Sequence, residues 1–216
     1  MIEKAAKIRN DANLRITHAE RTDLSDTLMF EVAVELIVTR GTEKTTLKDV
    51  GELAGYSRSL AGYRFGSKGN LFSYMINRIG AEWAQELRQV TQGKTGFEAI
   101  AASIDAQYQF CVNAPLTRRA FYHLWFDAAA TTSEVRESMI TLHDRRQKDV
   151  ERWVNNGIVD GSITPDADAE AVARLFLATA IGINYQWLMQ PEALHIVKQL
   201  HDNLKQTMSV LLRKPA

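Results

Sequence analysis

Residues 54–68, AGYSRSLAGYRFGSK, bring Arg58, Arg64 and Lys68 together with Ser57, Ser59 and two tyrosines, spaced by Gly55, Gly62 and Gly66. Cations and hydroxyls at this density can cradle a phosphate, assist catalysis or read DNA. A phosphate cradle needs G-x-G-x-x-G or G-x-x-x-x-G-K-[ST] after a strand, and neither motif occurs in this sequence. Catalysis fares no better. The five histidines, His18, His123, His143, His195 and His201, are scattered, and none lies in an H-E-x-x-H pattern. No G-x-S-x-G elbow is present. His143 beside Asp144 reads as a solvated helix pair. No enzyme, cofactor or metal site is expected, and nucleic acid remains.

The charge distribution points the same way. The 216-residue chain carries 26 Lys plus Arg against 26 Asp plus Glu, so it has no net charge. Residues 44–78, however, hold six basic and two acidic groups, a net of +4, whereas residues 81–216 hold 14 and 16, a net of −2. A local basic footprint is what a phosphate backbone requires.

Helical periodicity dominates the elements that position these groups, and the period-2 alternation of strands is hardly seen. From Asp23, Leu28, Met29, Val32, Ala33, Leu36 and Ile37 form one broad apolar face, and Gly41 ends the helix. TTLKDVGELA opens with Thr46 and Asp49 in capping-box spacing and buries Leu47, Val50 and Leu53. Ser57 caps a short helix from Arg58 to about Phe65, and a long one follows from Lys68 toward Gln89. Further helices are expected near 97–112, 116–130, 133–156, 166–189 and 192–212, punctuated by Gly157, DGSITPD and Pro191. Residues 1–22 read as a polar extension with Lys4, Lys7, Arg9, Arg15 and Arg21.

Two short helices joined by a glycine turn are the helix-turn-helix pattern. Gly51 is small where the helices cross, Gly55 tolerates positive φ, and Tyr56 can lock the angle. Arg58, Ser59, Tyr63 and Arg64 fall on the outer face of the second helix. An ordinary helical hairpin with a solvated charged face is the alternative. The segment from Leu28 to Leu71, with its GYSRSL…FGSK core, resembles the DNA-binding domain of TetR-type transcriptional regulators. The resemblance implies that Thr46, Arg58, Ser59, Leu60, Arg64 and Lys68 face DNA, with Lys68 on a phosphate. Lys48 and Tyr63 are counted with them. Gly62 stands where many members carry a tyrosine, and Ala61 is smaller than the usual branched residue.

The remaining two-thirds offers two further surfaces. Tyr108, Phe121, Trp125 and His143 are the expected lining of a small-molecule pocket, which the resemblance implies among these helices. Phe176, Ala180 and Asn184, with Leu200, Leu204 and Met208, are the expected dimer face. They resemble the two C-terminal helices that form a four-helix interface in the family. The single Cys111 reads as a buried hydrophobe, which fits a reducing cytoplasm. No run approaches the length of a membrane span. The expectation is an all-α chain: an extension (1–22), a three-helix helix-turn-helix domain (23–80) and a helical sensing and dimerisation domain (81–216). It would act as a homodimeric repressor released from a palindromic duplex operator by a small apolar or amphipathic ligand; the alternative is a DNA-binding regulator of the same fold controlled by a protein partner or by no ligand.

Overall fold

Thr17 starts the first helix through a reciprocal cap. Its hydroxyl accepts from the Glu20 N–H at 3.2 Å while the Glu20 carboxylate accepts from the Thr17 N–H at 2.7 Å. The structure, a computed structural model, describes residues 17–130 and 134–212. Helix α1 therefore runs His18–Arg40, five residues earlier than the apolar stripe at Asp23 suggests. Of the expected extension, residues 1–16, with Lys4, Lys7, Arg9 and Arg15, lie outside the described residues. Among the described residues there are eight further helices and no strand: α2 (Leu47–Leu53), α3 (Arg58–Phe65), α4 (Lys68–Thr91), α5 (Gly96–Asn113), α6 (Pro115–Ala129), α7 (Glu134–Asp160), α8 (Ala169–Met189) and α9 (Leu194–Leu212).

The chain divides into two compact units. The first comprises residues 1–78 with 119–139, and the second residues 79–118 with 140–216. In the first, α2 packs on α1 and on α3. Its buried apolar residues are the α1 stripe from Leu28 to Ile37, Val50, Ala61 and Phe65, and Leu71, Met75 and Ile76 of α4. Phe121, Leu124 and Ala128 of α6 are buried as well. Caps match the sequence here: Thr46 accepts from the Asp49 N–H and Ser57 from the Leu60 N–H. Ser67 accepts from the Asn70 N–H at 3.0 Å and opens α4.

In the second unit α9 packs against α5 and α8 around Trp83, Ile100, Ile104, Trp153, Phe176, Trp187 and Leu204. The loop between α7 and α8 is tied down from both sides. Ile163 N–H donates to the Gly157 carbonyl at 2.9 Å and Thr164 N–H to the Leu212 carbonyl at 3.0 Å. Hydrogen bonds from Ser162 and Thr95 hold the Asp160 carboxyl below the usual carboxylate range. No described helix is long and apolar enough to cross a membrane.

Two glycines show opposite constraints. A Cβ on Gly157 would lie 2.6 Å from the Gly96 Cα, backbone that cannot yield easily, and 2.6 Å from Ile163. A Cβ on Gly62 in α3 would meet nothing within 4 Å. Gly157→Ala should therefore destabilise the chain by about 1–3 kcal/mol, the usual cost of overpacking. Gly62→Ala should stabilise α3 by roughly 1 kcal/mol through helix propensity. Differential scanning calorimetry should show a lower Tm for the first and an equal or higher Tm for the second. The reverse order would refute this packing.

Candidate nucleic-acid interface

The angle between α2 and α3 is set by contact between small residues. A Cβ added to Gly51 would lie 3.0 Å from the Ser57 carbonyl and 3.1 Å from the Ala61 Cβ. Gly51 and Ala61 are both buried, so the small Ala61 is matched to the small Gly51. Between them Gly55 takes a positive φ of 80°, and the Tyr56 N–H donates to the Gly51 carbonyl at 2.8 Å. Tyr56 itself is half-buried.

This packing leaves one side of α3 in solvent. Arg58 and Ser59 are exposed, Tyr63 is 86% exposed, and Leu60 is half-buried. Ser59 Oγ sits 2.9 Å from the capping Ser57 Oγ. Thr46 and Lys48, at the start of α2, are exposed too. Eight helical residues span about 12 Å, which suits a B-DNA major groove about 12 Å wide.

Arg64 and Lys68 are placed differently. The Arg64 Nε lies 2.9 Å from the Asp26 Oδ1 of α1, both side chains being partly covered. The pair is a charge contact without a straight hydrogen bond. Burial pushes the Asp26 carboxyl up, and the Arg64 charge opposes that shift. The resemblance implies that Arg64 faces DNA; in the structure its guanidinium is turned to α1, where it braces the last turn of α3. Nearby, the Arg78 guanidinium sits 4.4 Å from the Phe30 ring centroid and donates to the Tyr74 hydroxyl at 3.3 Å. Lys68 donates to the carbonyls of Thr42 (3.4 Å) and Glu43 (3.2 Å). An ammonium has three N–H donors, so one remains for a phosphate oxygen. Neither Asp26 nor the carbonyl shelf at Thr42 was singled out from the sequence. Asp26 lies off the apolar stripe of α1, and no spacing rule links it to Arg64.

The expected pocket residues fall in both units. Phe121 is buried and Trp125 half-buried in the first, their ring centroids 5.6 Å apart. Tyr108 and His143 belong to the second, where Tyr108 meets the His201 ring edge-on at 5.9 Å. The expected dimer face needs correction. Phe176, Ala180, Asn184, Leu204 and Met208 are buried within the chain itself, and Leu200 is half-buried. They face the second unit's core because a helical stripe reports burial, not the partner that provides it. The exposed apolar residues on the same helices are Leu175, Tyr185 and Met189 of α8 and Ile196, Val210 and Leu211 of α9.

That core contains a buried polar group. Arg118 Nε donates to Asn184 Oδ1 at 2.9 Å, and its guanidinium lies 4.8 Å from the Phe110 ring centroid. Asn184 in turn donates to the Ala180 carbonyl at 2.6 Å. Burial pushes the Glu86 carboxyl up, opposed by Arg118, and does the same to the Cys111 thiol. Cys111 is the buried small hydrophobe the sequence suggests. Burial pushes His201 down, and its Nδ1 is 2.8 Å from the Val197 carbonyl.

Residues 30–75 match the family described as "Bacterial regulatory proteins, tetR family". The HTH-type transcriptional regulator TtgR of Pseudomonas putida is 21% identical over 203 residues, 87% of this chain and 91% of that protein. Among solved structures, the SmeT–triclosan complex has a TM-score of 0.76 at 19% identity, covering 89% of this chain and 93% of that one. SmeT is described as the repressor of a Stenotrophomonas maltophilia multidrug efflux pump. A regulator from Saccharomonospora viridis in complex with choline has a TM-score of 0.73 at 16% identity, covering 88% and 98%. The helix-turn-helix packed on α1, the family match across it and the similarity along both units agree: the chain is a TetR-type, DNA-binding transcriptional regulator.

Proposed function

We propose that the chain is a homodimeric repressor that holds a palindromic operator and releases it when a small apolar or amphipathic molecule binds. The observation that carries the DNA part is α3, whose Arg58, Ser59 and Tyr63 project into solvent from a junction closed by Gly51 and Ala61. Arg58 lies in the first turn, the end of a recognition helix that meets base edges. Its guanidinium can give two hydrogen bonds to guanine O6 and N7. Thr46, Lys48, Ser59, Leu60 and Tyr63 border the same face, and Lys68 takes a phosphate with its remaining N–H. Arg64 acts through its ion pair with Asp26, holding α3 at the angle the groove needs.

The dimer forms through the outer faces of α8 and α9. Leu175, Ala178, Gly182, Tyr185 and Met189 recur at alternating spacings of three and four and make an exposed row along α8. Met189 is 61% and Val210 72% exposed, more than isolated surface residues explain when aligned on two packed helices. Gly182 has open space around it and permits close helix approach. Two recognition helices so related by a two-fold axis would meet half-sites about one helical turn apart. Effector control is supported by neighbours of this fold in complex with triclosan and with choline. The candidate effector contacts are taken unit by unit: Phe121 and Trp125 in the first, Tyr108 and His143 in the second. The ligand acts by population shift, stabilising the dimer in which the recognition helices miss successive grooves. Repression follows the description of SmeT.

Arg58→Ala should weaken binding to an operator selected from random duplexes by roughly 1–3 kcal/mol and relax preference at one base pair per half-site. Lys68→Ala should weaken binding to operator and scrambled duplex alike, and lower the salt slope by about one per half-site. Gel-shift titrations at several salt concentrations separate the two. Equal losses for Arg58→Ala on both duplexes would make it a backbone contact.

The dimer is tested independently. Tyr185→Asp with Val210→Asp should give monomers with unchanged helicity, because both side chains are exposed in the single chain. Light scattering at micromolar concentration reads the mass. A monomeric wild-type chain, or a double variant that stays dimeric, would contradict this interface.

A further inference from the structure

Lys68 is exposed, yet its ammonium is held in place. It donates to two carbonyls of the turn after α1, Thr42 at 3.4 Å and Glu43 at 3.2 Å, and lies 5.9 Å from the Phe72 ring centroid. The backbone closes that turn: the Gly41 N–H donates to the Ile37 carbonyl at 3.0 Å and the Thr45 N–H to the Thr42 carbonyl at 3.2 Å. Thr45, fully buried, adds a bond from its hydroxyl to the Gly41 carbonyl at 2.9 Å. Gly41 and Thr45 thus fix the two ends of the turn. Between them, the Thr42 hydroxyl donates to the Asp127 carboxylate, 85 residues later on α6. All of these groups belong to the first unit.

We propose that Asp127 is a positioning residue for DNA binding: through the Thr42 hydroxyl it holds the carbonyl shelf that presents the Lys68 ammonium to a phosphate. The inference rests on the reading that Lys68 meets a phosphate. A lysine is a compact charge on a flexible stem, and a free one must be ordered when DNA arrives, which lowers affinity. On the shelf two N–H groups are already engaged and the third is left for the phosphate, so the ordering precedes binding. Both N···O distances are at the long end of the hydrogen-bond range, so a small shift of the turn releases the ammonium. Simple electrostatics gives Asp127 the opposite role. A negative charge in the DNA-binding unit repels the phosphate backbone, and its removal should strengthen binding to any duplex. The two roles therefore differ in the sign of their effect.

The test measures the affinity of full-length variants for the selected operator and for a scrambled duplex at several salt concentrations. Asp127→Ala should weaken binding to both duplexes about three- to tenfold, the scale of one hydrogen bond. Its salt slope should fall toward that of Lys68→Ala. Thr42→Val, which removes the hydroxyl at similar shape, should do the same. Asp127→Asn keeps a side-chain oxygen to accept from Thr42 and sheds the charge, so it should bind at least as tightly as the unaltered chain. In a Lys68→Ala background, Asp127→Ala should add a loss of less than about twofold, because both act on one contact. Nuclear magnetic resonance reads the shelf without DNA. The Lys68 ammonium protons should exchange with water faster in Asp127→Ala and Thr42→Val than in the unaltered chain, and at the unaltered rate in Asp127→Asn. Tighter binding by Asp127→Ala, an additive loss in the double variant, or unaltered exchange in Asp127→Ala would each overturn the role of Asp127. Binding by Asp127→Asn as weak as that of Asp127→Ala would overturn the path through Thr42. No loss in Lys68→Ala would remove the phosphate contact, and this proposal with it. A loss in Lys68→Ala beside a failure of the Asp127 variants would overturn the positioning role alone.

Discussion

The approach of α2 to α3 at Gly51 and Ala61 is the constraint on which the DNA-facing surface depends. A glycine Cα facing an alanine Cβ, with the Ser57 carbonyl at the same spot, leaves no space for a larger side chain at position 51. Close-packed interiors transmit such misfits rather than absorb them. The gain is directional: with the crossing closed on small residues, the outer side of α3 is left to Arg58, Ser59 and Tyr63, and none of them is needed for the core. The Arg64–Asp26 ion pair and the Tyr56–Gly51 hydrogen bond hold the far end and the near end of α3 to the same frame. A partly covered pair of this kind contributes modestly to stability, and its larger consequence is orientation.

Much of this was legible because local rules suffice for it. Thr46 and Ser57 cap the helices their spacing predicts, Gly55 takes the positive φ expected of a tight turn, and Gly51 lies at the crossing. What local rules cannot supply is the partner. The first helix begins at His18 because Thr17 and Glu20 form a cap, a signal present in the sequence but outranked by the apolar stripe that starts later. Phe176 looked like an interface residue because α8 is apolar around much of its circumference, and Leu204 because it lies on the apolar stripe of α9; periodicity alone could not say which side meets the chain's own core. Arg64 resembles a DNA contact by position, and only the fold brings Asp26 within 2.9 Å of it.

The second unit shows a different economy. Arg118 is almost fully buried, a costly place for a guanidinium unless aromatic faces and hydrogen-bond acceptors surround it. Phe110, Trp83 and Asn184 provide both, and Asn184 is itself anchored to the Ala180 carbonyl one turn earlier. The polar residue at position 184, which looked like an interface group, is better explained as the acceptor that makes Arg118 tolerable. Buried polar groups of this kind fix one packing arrangement among several, because any slip leaves them unpaired.

The central claim is that the small-residue junction between α2 and α3 sets the angle from which α3 reads DNA. Operator affinity of Gly51→Leu, measured beside its circular dichroism and thermal unfolding, tests this most directly. The account predicts retained helicity and an intact second unit, with operator affinity lower by about 10- to 100-fold, the scale of one or two lost base contacts. Affinity within about twofold of the unaltered chain, in a protein that remains folded, would contradict it.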